Sequence, residues 1–176
     1  MTLWQCTSHF FIFEIGSSYT NLDKDYKKFG YDRGHQMDAY DCCFDSVVMA
    51  ESFYYSNIAP QLPALNRGIW KRLEEYTRKL VKAYDSVLVW CGSVSFKNRV
   101  IGRVAVPDYC WKVLYIKKLN KVESYSFRNN GSRLGDLRYY EVSLDSIQHL
   151  SKLTFLKTIE DSIGSENVHS LILIHF

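Results

Sequence analysis

The 176-residue chain is 47% hydrophobic and 15% aromatic, which excludes a disordered chain and suits one domain with a core that needs no disulfide or metal staple. Its 22 Lys+Arg against 19 Asp+Glu leave a net charge of +3, too small by itself to argue for a nucleic-acid partner. The five cysteines are an odd number, Cys42 and Cys43 are adjacent, and no C-x-x-C spacing occurs, which speaks against a disulfide framework or a zinc site.

The opening MTLWQCTSHFFIFEIG lacks a basic leader and includes Glu14, so it reads poorly as a signal peptide. The compartment stays open: secreted or periplasmic if a signal was removed upstream, intracellular otherwise. No stretch approaches the roughly 18 apolar residues of a membrane span, so no membrane partner is expected. Residues 8–15 form a candidate strand, and TNLDKDYKKFG (20–30) reads as a loop into YDRGHQ (31–36), where Gly34 is expected to turn the backbone. A short helix is predicted around SVVMAES, then irregular, extended backbone through SNIAPQLPAL, with Asn57, Pro60 and Pro63.

The strongest helix signal runs from Asn66 to Tyr84. Ile69, Trp70, Leu73, Thr77, Leu80, Val81 and Tyr84 recur at three- and four-residue steps, and Asn66 falls where an N-cap belongs. Strands are predicted at 86–92, 100–107, 110–118 and 122–128, with Cys91 and Cys110 as core residues. NNGSRLGD follows as a loop, then a strand over 139–144, a helix over 144–159 and a last strand in HSLILIHF. Strands grouped around one strong helix imply an α+β fold rather than a doubly wound parallel sheet.

Charge is unevenly spread. Residues 67–82 hold six basic against two acidic residues, and 97–121 add Lys97, Arg99, Arg103, Lys112, Lys117, Lys118 and Lys121 around the single acid Asp108. That is a footprint for a polyanion or, equally on charge alone, a solvated face. Singly, each polar candidate has an ordinary structural explanation. His35 beside a glycine, Arg33 paired with an acid, and Asn57 and Asn66 as turn and cap residues are all common.

In combination the residues say more. Asp32-Arg33-Gly34-His35, then SNIAPQ (56–61), then LNRGIW (65–70), then Arg72-Leu73-Glu74 and Arg78 occur in that order. The set resembles the DNA/RNA non-specific endonuclease family, with weaker likeness through VLVWCGSVSF, VAVPDYCWKV and YEVSLDSIQHLSKLTF. The resemblance implies a single domain over residues 1–176 with a ββα-metal (His-Me finger) fold, a central, mostly antiparallel sheet and one long helix carrying the metal ligand. It implies His35 as general base and Asn66 as the one protein ligand of Mg²⁺, for which Mn²⁺ can substitute. Arg33, Glu74 and Arg78 complete the catalytic set, and Arg33, Asn57, Gln61 and Arg78 are the implied substrate contacts. The chemistry is coherent. An imidazole accepts a proton near neutral pH, Mg²⁺ takes few protein oxygens, and arginine grips phosphate bidentately.

The partner implied is the phosphate backbone of DNA and RNA, with little sequence specificity; a homodimer is left open. Two departures bear on efficiency. Asp38 stands three residues after His35, where the family usually has proline, and only 30 residues precede YDRGHQ, which leads one to expect that leading strands are missing. A binding module without turnover, and a phosphodiesterase for small esters, are the alternative readings.

Overall fold

The computed structural model describes residues 26, 29–43, 45–130 and 135–155. Its centre is CWKVLYI, an almost uninterrupted apolar run of the kind that fills a strand buried on both faces. It lies in β6 (Tyr109–Ile116), flanked by antiparallel β3 (Leu88–Val94) and β7 (Lys121–Arg128) in the order β3-β6-β7. The register pairs Val113 with Trp90 on one side and with Ser124 on the other.

Strand alternation sends the two sets of side chains to opposite layers. Cys110, Leu114, Ile116 and Phe127 pack against Leu65, Ile69, Trp70, Leu73 and Leu80. Trp90, Trp111, Val113 and Tyr115 pack against Ile147 and Phe155. The first layer is carried by α2 (Lys71–Tyr84) and the second by α3 (Leu144–Ser151). Each fully buried leucine or isoleucine contributes roughly 1.5–3 kcal/mol, so the α2 face anchors the helix without help from capping. Leu73 is 0% exposed. The α+β class expected from the sequence is borne out.

A second, two-stranded unit precedes α2. β1 (Asp32–His35) pairs antiparallel with β2 (Ile58–Gln61), in the register Asp32 with Gln61 and His35 with Ile58. The intervening residues 36–57 hold a 3₁₀ turn (Ala39–Cys42) and α1 (Ser46–Glu51), capped by Asp45. With α1 set in the insert between the paired strands, the unit's main elements are strand, strand and the long helix α2. Asn129 ties this unit to the sheet: buried, it accepts from Leu62 N–H at 2.8 Å and donates to the carbonyls of Pro60 and Pro107 at 2.9 and 3.0 Å.

Several local expectations are corrected. YDRGHQ is not a turn; Gly34 lies mid-strand, and the positive φ needed near the motif falls on Gly30 at 76°. Asn66 is not a cap: Leu65–Trp70 is a wide π turn broken at Gly68 (φ −104°, ψ −109°), and the regular helix starts only at Lys71. The expected strand over 100–107 is a hairpin, β4 (Val100–Ile101) and β5 (Val104–Ala105), with Gly102 (φ 55°) at its bend. In place of a strand over 139–144 there is a 3₁₀ turn (Leu137–Tyr140) and one bridge from Glu141 to Tyr125. α3 ends at Ser151 because Lys152 adopts a left-handed conformation (φ 61°) and caps the helix through Gln148 O. The strands expected at 8–15 and in HSLILIHF lie outside the described residues. Among the described residues, no helix is long and apolar enough to cross a membrane.

Candidate active site

The two strands and the start of α2 bring the motif residues together. His35 ends β1, and Trp70, almost wholly buried, donates its indole N–H to the His35 carbonyl at 3.2 Å. That bond pins the imidazole's backbone to the first turn of the helix. The ring meets Phe53 edge-on at 4.9 Å, and its buried Nε2 has no hydrogen-bond partner among the described residues. Burial holds the imidazole pKa below its ordinary 6.5; the Asp38 carboxylate opposes that shift and the Arg33 guanidinium adds to it. Burial therefore favours the neutral imidazole, the form that can accept a proton.

Gly34 is there for space. A Cβ at that position would collide with the end of the Gln61 side chain and lie 2.6 Å from Gln61 Cγ. Gln61 itself is 0% exposed and donates from Nε2 to Cys110 Sγ at 3.4 Å. Asn57 is likewise buried. Its Oδ1 accepts from Met37 N–H at 3.0 Å, and its Nδ2 donates to Met37 O at 3.0 Å and Ser52 O at 2.7 Å. Neither Asn57 nor Gln61, both expected as substrate contacts, has an exposed side chain in this structure. Asn57 clamps the two ends of the 36–57 insert, and Gln61 fills the floor beneath β1.

On the helix side, Asn66 donates from Nδ2 to Asp32 Oδ2 at 3.1 Å. A carboxylate only accepts, so this bond fixes which end of the amide faces Asp32 and leaves the lone pairs of the acceptor Oδ1 to serve as a ligand. Asp32 also takes a bidentate grip from Arg67, at 2.7 Å (Nε) and 2.6 Å (Nη2). Those bonds outweigh partial burial and hold its carboxyl below the usual range. Asp32 and Arg67 both stand inside the motifs read from the sequence, yet that reading gave neither of them a role; their place in the motifs was the signal.

Glu74 sits one helical face further, with side-chain exposure of 11% and Lys112 Nζ 3.7 Å from Oε1. Burial pushes its pKa up to about 7; Lys112 and Arg78 pull it down, while Asp38 and Asp41 push it up. Burial wins over the ion pair here. Lys112 is 4% exposed and also lies 4.6 Å from the Trp70 ring centre, so it belongs to the core of the site and not to an outer basic footprint. A lone lysine inside CWKVLYI was the visible clue. Arg78, expected on the phosphate, is bound to Asp38 Oδ2 at 2.5 Å and Asp41 Oδ1 at 3.1 Å, with the Tyr40 ring 5.1 Å beneath it. Arg33 is exposed on the strand face it shares with His35. Between Arg33 and Arg67 the chain contains no Lys or Arg and four acids, Asp38, Asp41, Asp45 and Glu51.

A buried imidazole nitrogen with no partner among the described residues, an oriented amide and a mostly buried glutamate are groups suited to proton abstraction near a hydrated cation. The comparisons agree in kind. The model of the DNA/RNA non-specific endonuclease family matches residues 7–162. Mitochondrial endonuclease G of Bos taurus is 33% identical over 158 residues, covering 80% of this chain and 53% of its own. Mitochondrial nuclease EXOG of Xenopus laevis is 32% identical over 169 residues, with 85% and 47% covered. The chain thus spans about half the length of the curated relatives it matches. A crystal structure of the EndoG/EndoGI complex, concerned with EndoG inhibition, has a TM-score of 0.74 and 31% identity, covering 80% of this chain and 65% of that one. The strand–strand–helix unit is the ββα-metal nuclease fold, and the chain belongs to the DNA/RNA non-specific endonuclease family.

Proposed function

We propose that this chain hydrolyses phosphodiester bonds of DNA and RNA with little sequence specificity, with His35 as general base and Mg²⁺ or Mn²⁺ held by Asn66. The observation that carries the reading is the Asn66 amide, turned by Asp32 so that its oxygen is the atom left to ligate. The donor set fits such an ion. Mg²⁺ keeps most of its water and needs few protein oxygens, whereas no group of three or more His, Cys, Asp or Glu among the described residues could cage a metal. Glu74, buried on the helix that follows Asn66, is the carboxylate suited to hold the ion's water shell. The bound ion would supply charge neutralisation at a non-bridging phosphate oxygen and at the departing O3′.

The chain's own groups do the rest. His35 takes the proton of the attacking water, and its depressed pKa keeps it competent below pH 6.5. Arg33, on the same strand face, grips the phosphate. None of these groups reads a base edge, which favours tolerance of sequence and sugar. One observation favours the second reading, a nucleic-acid-binding module without turnover: Arg78 is held by two carboxylates.

A plasmid-nicking assay separates the two. Cleavage with Mg²⁺, its loss in EDTA, and its return with Mg²⁺ or Mn²⁺ are expected, and Asn66→Ala loses most of it. His35→Ala lowers turnover about 10²- to 10⁴-fold while DNA binding stays within a few-fold. Wild-type protein that cuts nothing with Mg²⁺, yet binds DNA as well as His35→Ala does, establishes the binding module instead.

A further inference from the structure

Arg78 stands one turn beyond Glu74 on α2, and the 36–57 insert folds back over it. Asp38 Oδ2 lies 2.5 Å from Nη1, and Asp41 Oδ1 lies 3.1 Å from the same nitrogen. The three side chains are only 20–30% exposed, so bulk water screens the contacts less than it would on an open surface. The acceptors are also fixed in place. Asp38 caps the Ala39–Cys42 turn by accepting from Tyr40 N–H at 3.2 Å, and the Tyr40 ring supports the guanidinium at 5.1 Å. Two carboxylate oxygens on one guanidinium nitrogen occupy the donor that a phosphodiester oxygen would use, and they neutralise its charge.

We propose that Asp38 and Asp41 act as an internal substitute for phosphate on Arg78, and that Asp38 is the residue setting this chain's affinity for the nucleic-acid backbone. The inference rests on the nuclease reading above and adds a term to it. A phosphate engages Arg78 only by displacing carboxylates already bound there, and it approaches against their charge. Asp38 thus sets how tightly substrate is held and not which bond is cut.

Binding is measured by fluorescence anisotropy of a labelled duplex in EDTA, where no turnover occurs. Asp38→Asn keeps an Oδ1 acceptor for the Tyr40 N–H, so the turn survives while the charge goes. It is expected to bind DNA roughly five- to tenfold tighter than wild type at low salt. The slope of log affinity against log salt steepens by about 0.9, the signature of one added phosphate contact. Asp145→Asn, the same charge change on α3 behind the sheet, leaves that slope unaltered. The gain depends on Arg78: Asp38→Asn/Arg78→Ala binds no tighter than Arg78→Ala alone. Asp38→Asn binding that equals wild type, or a gain that persists without Arg78, overturns the clamp while leaving the nuclease reading intact. DNA binding by no variant at all overturns both.

Discussion

On β1 and β2 the groups around His35 are held by strand register, filled volume and buried amides; on α2 the groups around Glu74 are held by charge. Gln61, Asn57 and Asn129 satisfy backbone or pack without carrying charge. Asp32–Arg67, Glu74–Lys112 and Arg78–Asp38 are all ion pairs. Packed volume fixes position within a fraction of an ångström and tolerates little change. Ion pairs of this kind set protonation and affinity, and they shift with pH, salt and ligand. Under the proposed function, His35 and Arg33 stand on the half held by packing, and the cation-side groups Asn66 and Glu74 on the half held by charge.

The sharpest way to break that division is Gly34→Ala. The added methyl meets Gln61 where no space remains, at a cost of about 1–3 kcal/mol. Because the strand must shift to relieve it, His35 moves, and a displacement near 1 Å lowers turnover by about 10²-fold. A nicking assay alongside thermal unfolding tests this; full activity in Gly34→Ala means that the strand is softer than its packing implies.

Glu74→Gln probes the charged half, with a smaller effect. The folded carboxyl has its pKa raised from 4.5 to about 7. Its contribution to stability is thus fully present below pH 4.5 and lost as pH rises through 7. In EDTA at pH 8, Glu74→Gln is expected to be more stable than wild type by about 1–2 kcal/mol, the gain being trimmed by loss of the Lys112 pair. At pH 4.5 the two unfold together. Melting curves at both pH values decide it, and equal stability at pH 8 would mean the carboxylate is fully compensated.

The smallest effect is on the pH–rate profile. The acid limb of kcat/KM is expected to have its midpoint below 6.5, since burial disfavours the His35 imidazolium. Asp38→Asn should lower it further, because the carboxylate that favours the charged ring is gone. A midpoint moving upward in that variant contradicts the placement of Asp38 beside His35.

Much of this was legible in the chain. The α2 stripe, the apolar β6 run and the ordered motifs each depend on local period or spacing, and each survived folding. What was not legible depended on partners distant in sequence. Asn66 reads as a cap until Asp32, 34 residues earlier, claims its amide. Asn57 and Gln61 carry the residue types of substrate contacts, and only the folded chain shows both side chains buried, at 3% and 0% exposed. YYEVSL has strand propensity throughout, yet the sheet edge accepts only Glu141, opposite Tyr125, because Leu137 and Tyr140 are drawn onto the α2 face core.

Trp70 has one more consequence. Its indole N–H touches the carbonyl of His35 and its ring faces the Lys112 ammonium, while Trp90 and Trp111 pack with Phe155 on the other side of the sheet. The residue is therefore an optical gauge built into the junction between strand and helix. Lengthening of that one hydrogen bond, or loss of the cation over the ring, changes the polarity its excited state senses. In a variant that keeps Trp70 as its one tryptophan, a shift of emission on adding Mg²⁺ or DNA is the expected sign that the contact to His35 has changed.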